Sequence, residues 1–394
     1  MTAVANASRF DFGSPAFLTD PWPVYAELRA TEPVHWSDPA GCYVVTRFDD
    51  VSHELAGSRF TSEYPLRADR ELFGPSFMNM EGAGHTQLRK VVGVMFGARA
   101  VAERVETVIR PAVREVLASV AATPELDFVA RVAVPIPYAV VSRVIGIPPA
   151  DWRWVFERGR PIIKALDFPR TAAREALAAE HELEAYLRDL MASASVREDS
   201  GTLLGLLANR GGLPSGAGLG TVVFLLVAGT ETSICAITNM MRCVLLAPPA
   251  ARPPRHDAAG IRAAARETLR WEPPTHTVLR FAGADTELRG VPIKRRSPIM
   301  FSLASANRDE TVFADPDRWD WTRPPRKIMT FGAGPHTCIG LHLAQQEFEV
   351  TYDELWRRFT DIELAGPPRP IAGHSFRRPD ELRLRWAPLP GREA

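Results

Sequence analysis

The chain has 394 residues, 46% of them hydrophobic, with 47 basic side chains balanced by 47 acidic ones. That length supplies ample material for a large buried core, and the even charge gives no reason to expect a nucleic-acid partner. Four cysteines, Cys42, Cys235, Cys243 and Cys338, are too few for a disulfide framework in so long a chain and suit a reducing, cytoplasmic setting. The basic residues are 43 arginines and 4 lysines, which with abundant alanine suggests a GC-rich bacterial genome.

Taken in order, the opening MTAVANASRFDFGSP lacks a long apolar stretch, so no targeting segment is expected. Apolar residues spaced by three and four predict helices around 21–31, 85–96, 100–121, 171–193, 221–246, 260–271 and 340–359. Short strands are expected at Cys42–Val45, Ile299–Leu303 and Leu382–Trp386. A Gly/Ser/Pro cluster at 211–220 leads into the apolar run Val222–Gly229, which is too short to span a bilayer and reads as buried helix. Pro248 to Pro254, with four prolines, cannot be helix interior. Length alone would allow two domains. With helices throughout and no linker, the expectation is one domain over 1–394, mainly α with a small β portion, and no membrane span.

The stretch Phe331-Gly332-Ala333-Gly334-Pro335-His336-Thr337-Cys338-Ile339-Gly340 carries most of the chemistry. Its three glycines permit turns and close approaches that side chains forbid. It runs into a helical segment, so a thiolate at Cys338 meets the positive end of a helix dipole and free backbone N–H groups. One sulfur is a single metal bond. A zinc site would need further ligands, whereas a haem iron needs only one such axial ligand.

Upstream, Leu225, Ala228, Gly229 and Thr232 share one helix face. Ala228 and Gly229 leave room for something bulky, and Thr232 sets a hydroxyl beside it. Glu231 is a charge in an apolar helix, costly unless paired or functional. Taken alone, the threonine could equally bond its own backbone, and the acid could face water.

These motifs together resemble the cytochrome P450 family. The cysteine stretch matches its haem signature, Phe-Gly-x-Gly-x-His-x-Cys-x-Gly, and Ala228-Gly229-Thr230-Glu231-Thr232 is similar to its Ala-Gly-x-Asp/Glu-Thr. The resemblance implies the cytochrome P450 fold, with haem b buried between the helices around 221–246 and 340–359. Cys338 would ligate iron, and Phe331, Gly332, Gly340, Ala228 and Gly229 would contact the cofactor. Glu231 and Thr232 would guide protons to dioxygen. His85, Arg89, Arg280 and His336 match the family's propionate contacts. Glu267 and Arg270, with Trp271-Glu272-Pro273-Pro274 after them, resemble its Glu-x-x-Arg helix, with Arg323 as third member and a bracing role. Asn307-Arg308-Asp309, Phe313 and Pro316 also fit the segment before the haem loop.

The implied activity is monooxygenation (hydroxylation or epoxidation) of a small organic, specialised-metabolite substrate. Electrons would come from a separate ferredoxin or flavodoxin-type partner with its reductase, docking near Arg89, Lys90, Arg99, Arg326 and Lys327, and the protein would be monomeric. Two other outcomes stay open: oxidative coupling or ring formation without oxygen insertion, and a haem-binding sensor or carrier. Pocket contacts are expected from the loop at 62–79, the segment around 160–175, Leu225, Ala228, Thr275–Leu279 with His276 inward, and the turn near His374–Phe376. The chain departs from the family at Glu81-Gly82-Ala83 (usually Asp-x-Pro), at Ile328 (usually His, with Lys327 beside it), at Ile293-Lys294-Arg295-Arg296 and at Ala344-Gln345.

Overall fold

The computed structural model describes residues 10–64, 68–167, 173–198, 201–209 and 217–389. The first nine residues, and parts of the expected pocket segments at 62–79 and 160–175 and of the 211–220 cluster, lie outside them. The architecture is the expected one, mainly helical with small sheets.

The longest helix, Ala217–Leu246, is apolar on almost every face, so only the interior satisfies it. Val222, Val223, Leu226, Val227, Ile234 and Val244 are all buried. It is longer than the apolar run suggested: its Gly218–Leu246 portion has mean hydropathy 1.7 over its most apolar window, enough to cross a bilayer by length and composition. The protein itself covers 72% of that window, as befits a core helix. Around it pack Pro135–Ile145, Ala258–Trp271 and Leu341–Arg358. The last of these follows the cysteine loop directly, as expected for 340–359.

Proline explains where helix boundaries differ from the spacing. The single helix expected over 100–121 is three pieces: Ala98–Arg104, a π-helical turn Val105–Ile109, and Arg110–Ser119. Pro111 cannot donate to the preceding turn, and the widened turn absorbs the missing bond. Pro135 and Pro137 open a helix that periodicity did not signal, in the first turn, where no N–H is required. Gly146, at φ 99°, closes it. Trp152–Asp167 stays helical through Pro161.

The larger sheet has five strands in the order Val34–Ser37, Cys42–Val45, Pro298–Ser302, Thr277–Ala282, Phe60–Thr61. Cys42–Val45 pairs in parallel with Pro298–Ser302, Tyr43 facing Ile299, and Thr277–Ala282 pairs antiparallel on the other side. The strand expected at Ile299–Leu303 ends one residue early because Ser302 caps a short helix, accepting from the Ser305 N–H at 3.1 Å. The strand expected at Leu382–Trp386 is Arg383–Pro388, between Glu125–Asp127 and Phe359–Leu364.

Candidate active site

The cysteine loop is built by backbone demands. Gly332 and Gly334 sit at φ 68° and 69°, in the left-handed region that favours glycine. A Cβ on Gly334 would lie 2.4 Å from the Leu55 carbonyl oxygen, so the loop rests on the Phe48–Ala56 helix only with glycine there. The Cys338 N–H donates to the Phe331 carbonyl at 2.8 Å and closes the loop. Its sulfur opens onto a cavity of about 640 Å³, while the other three cysteines are buried in the core. Enclosure by the surrounding protein pushes the Cys338 thiol up; the Gly340 and Leu341 N–H groups and the Arg89 guanidinium pull the other way. Those are the groups a ligating thiolate needs.

Across the cavity lie Leu225, Ala228, Gly229 and Thr232 of the Ala217–Leu246 helix. The bare Gly229 serves a second contact as well. A Cβ there would stand 3.1 Å from Val141 Cγ2, so its absence also lets the Pro135–Ile145 helix pack close. The Thr232 hydroxyl donates to the Ala228 carbonyl at 2.6 Å, and Thr230 does the same to Leu226 at 2.9 Å. Such back-bonding loosens the helix ladder at this point. Glu231 turns from the cavity: its Oε1 is 3.4 Å from Arg378 Nε. Burial raises its pKa and Arg378 opposes the rise.

At one side of the cavity the fold gathers Arg89, Arg280 and His336 on the wall. His85 stands behind His336, the rings 4.3 Å apart. Burial and the neighbouring His336 pull His85 down to about 4, so it is neutral near pH 7, and its Nε2 has no hydrogen-bond partner. Arg89 donates to the Thr337 carbonyl, tying the Gly82–Gly93 helix to the cysteine loop. Glu81 Oε1 lies 3.2 Å from His336 Nε2 and accepts from the Ser62 N–H at 2.6 Å. This donor-rich corner, beside a sulfur and opposite small residues, fits an iron macrocycle bearing two carboxylates. Lys327 is exposed and donates to the Ser52 hydroxyl at 2.7 Å, off the cavity wall, so it does not stand in for the histidine missing at Ile328.

Glu267 and Arg270 form a buried two-point ion pair, both contacts 2.8 Å, and Arg323 Nε approaches Glu267 at 3.4 Å. Arg270 also donates to the carbonyls of Asn307, Pro316 and Arg318. The pair thus clasps the segment that leads into the cysteine loop.

Of the expected substrate contacts, Leu225 and Phe376 line the cavity. His276 does not, a correction to the expectation. Thr275 and Thr277 line the cavity, but His276 between them, just before the Thr277–Ala282 strand, is turned into the core. There it is 2% exposed, with Nε2 3.2 Å from Glu272 Oε1 and its ring 5.3 Å from Trp22. Burial lowers it to about 4. Phe77 and Val278, from the expected segments 62–79 and Thr275–Leu279, also line the cavity, and Phe224 and Glu347 do so without having been anticipated. Glu347 had a signal: it falls four residues after Leu343, on the inward face of its helix.

A family profile described as Cytochrome P450 matches residues 261–379. Nocardicin C N-oxygenase of Nocardia uniformis subsp. tsuyamanensis is 30% identical over 96% of this chain and 98% of its own length. Mycinamicin IV hydroxylase/epoxidase of Micromonospora griseorubida is 30% identical over 92% of this chain and 94% of its own. The crystal structure of P450BioI in complex with an acyl carrier protein ligated to hexadec-9Z-enoic acid superposes with a TM-score of 0.87 at 27% identity, covering 94% of this chain and all of that one. The fold, the cysteine loop with its glycines and these similarities converge: the chain belongs to the cytochrome P450 family, monooxygenases that hold haem b on a cysteine thiolate.

Proposed function

We propose that residues 1–394 form one cytoplasmic, monomeric catalytic domain that hydroxylates or epoxidises a medium-sized, largely apolar specialised metabolite. The Cys338 sulfur, opening onto a cavity faced by Thr232, carries this reading. When bound, haem b supplies dioxygen binding and electron storage. The residues of the chain do the rest. Burial pushes the Cys338 thiol up, and the Gly340 and Leu341 N–H groups and Arg89, which oppose that rise, would support the thiolate that binds iron. Arg89, Arg280 and His336 would pair with the haem carboxylates, and His85 would support His336. Phe331, Gly332, Gly340, Ala228 and Gly229 shape the two faces that enclose the macrocycle. Leu225, Phe224, Phe77, Val278 and Phe376 orient an apolar substrate and exclude water. The Thr232 hydroxyl, which donates to the Ala228 carbonyl, would turn toward the cavity to hand on protons there, and Glu231, held by Arg378, would support it from behind. Relatives named for N-oxygenating nocardicin C and for hydroxylating or epoxidising mycinamicin IV support the substrate class.

Turnover under isotopically labelled dioxygen, with a ferredoxin, its reductase and candidate substrates, should place one labelled oxygen in the product. Thr232→Ala should cut product per electron pair by about tenfold, the balance appearing as hydrogen peroxide. Unchanged yield would remove Thr232 from proton delivery.

The electron donor is proposed to be a ferredoxin or flavodoxin with an acidic face. Lys90, Arg99, Arg326 and Lys327 are exposed, and Arg89 donates to the Thr337 carbonyl of the cysteine loop. First-electron transfer should slow several-fold as salt rises from about 0.05 M to about 0.5 M, since the Debye length falls well below 10 Å over that range. A flat salt profile would rule out this docking face.

A further inference from the structure

The cavity wall carries a carboxylate without a counter-charge. Among the described residues two acids line it, Asp167 and Glu347. Burial pushes Glu347 up to about 8, so it is neutral near pH 7. Asp167 is the last residue of the Trp152–Asp167 helix and is only partly buried. Its Oδ1 accepts from the Ser375 N–H at 2.5 Å and the Phe376 N–H at 3.1 Å, which pins the carboxyl to the His374–Phe376 turn. Among the described residues nothing donates to its Oδ2, and none forms an ion pair with it. Arg378, just beyond the turn, is engaged by Glu231 at 3.4 Å. The cations on the wall, Arg89 and Arg280, stand in the donor corner that fits the haem carboxylates. Close to Asp167 the wall is neutral. His374 and Ser375 line it, and burial lowers the His374 pKa, so the ring adds no charge near pH 7.

A carboxylate on an apolar cavity is costly unless a cation or donors meet it. The helix strengthens that preference, because its C-terminal end carries partial negative charge that favours cations. Ligand cavities are commonly apolar with a few placed polar groups that set specificity. We propose that Asp167 recognises a basic nitrogen, so that the substrate is an apolar body bearing a protonated amine. The ammonium N–H donates to the Asp167 carboxylate, and the apolar part packs against Leu225, Phe224 and Phe376. The Ser375 hydroxyl and the His374 ring, 3.2 Å apart, supply further acceptors beside it. This names the substrate class for the cavity described above and rests on its reading as a substrate site.

The test uses the ferric, haem-loaded protein and the spectral shift that follows displacement of water from the iron. Two probes of similar shape are titrated near pH 7: N,N-dimethyldodecylamine, which is protonated, and N,N-dimethyldodecanamide, which is neutral. The amine should bind about tenfold more tightly, the value of one charge-assisted hydrogen bond. Asp167→Asn keeps an oxygen for the Ser375 and Phe376 N–H groups and loses the charge. It should bring the amine to within about twofold of the amide and leave amide binding unchanged, with thermal unfolding and the carbon monoxide spectrum as in the wild type. Asp167→Glu, which restores the charge, should recover a preference of at least about threefold. Equal affinities in the wild type would overturn the proposal whether or not the variants fold. So would a preference that survives in Asp167→Asn, or an amine spectrum showing nitrogen bound to iron. If neither probe nor any other apolar compound displaces the water, the cavity is not a substrate site and both readings fall. Equal binding of the two probes overturns the amine alone.

Discussion

Cys338→Ala should abolish the strongly red-shifted carbon monoxide absorption of sulfur-ligated haem and lower turnover by about a thousandfold or more, a barrier higher by roughly 4 kcal/mol. The cavity should remain, because the loop is fixed by other groups: the Cys338 N–H on the Phe331 carbonyl, the Gly332 N–H on Met329, and Gly334 against Leu55. Haem can therefore still be taken up by the donor corner of Arg89, Arg280 and His336, but without electron donation from sulfur. Spectra of the reduced variant with carbon monoxide decide the matter. A persisting red-shifted band would show that another residue ligates the iron, and the assignment of Cys338 would be lost.

Removing one side of the Glu267–Arg270 pair should be the most damaging change away from the cavity. Both side chains are almost fully buried, at 4% and 1% exposure. Arg270→Ala leaves Glu267 with only the Asp320 N–H at 2.9 Å and the more distant Arg323. It also strands the carbonyls of Asn307, Pro316 and Arg318. Breaking a buried pair costs about 3–5 kcal/mol, so thermal unfolding of the ferric protein should shift down by roughly 5–10 °C. Haem retention should weaken as well, since the released segment leads into the cysteine loop. A shift under about 2 °C would mean the pair braces nothing.

The sequence made the cysteine loop readable because the loop is local. Its glycines answer to left-handed backbone and to one close approach, and both requirements act within a few residues. The Ala217–Leu246 helix was readable for a similar reason, since all-round apolarity admits one location. Features set by tertiary packing were not. His276 sits between two cavity-lining threonines, and nothing in Pro274-Thr275-His276-Thr277 tells that Glu272 and Trp22 draw its ring into the core. Prolines concealed two helices, because Pro135 and Pro137 fall where a first turn tolerates them and Pro161 is carried inside a longer one. Gly229 was read for the room it leaves a ligand, while Val141, which presses against it, arrives from a distant helix. Glu347 drew no notice because an acid in a helix usually faces solvent, although its place four residues after Leu343 put it on the inward face.

The parallel pairing of Cys42–Val45 with Pro298–Ser302 has a bearing on biosynthesis. An early strand waits for a partner more than 250 residues later, and Arg377 then reaches back to the carbonyls of Leu18 and Thr19. Contacts of such span form slowly. A nascent chain emerging from the ribosome would therefore expose its central apolar helix before the residues that cover it have been translated, and would depend on chaperones meanwhile. Cofactor capture becomes the closing event of maturation, after release.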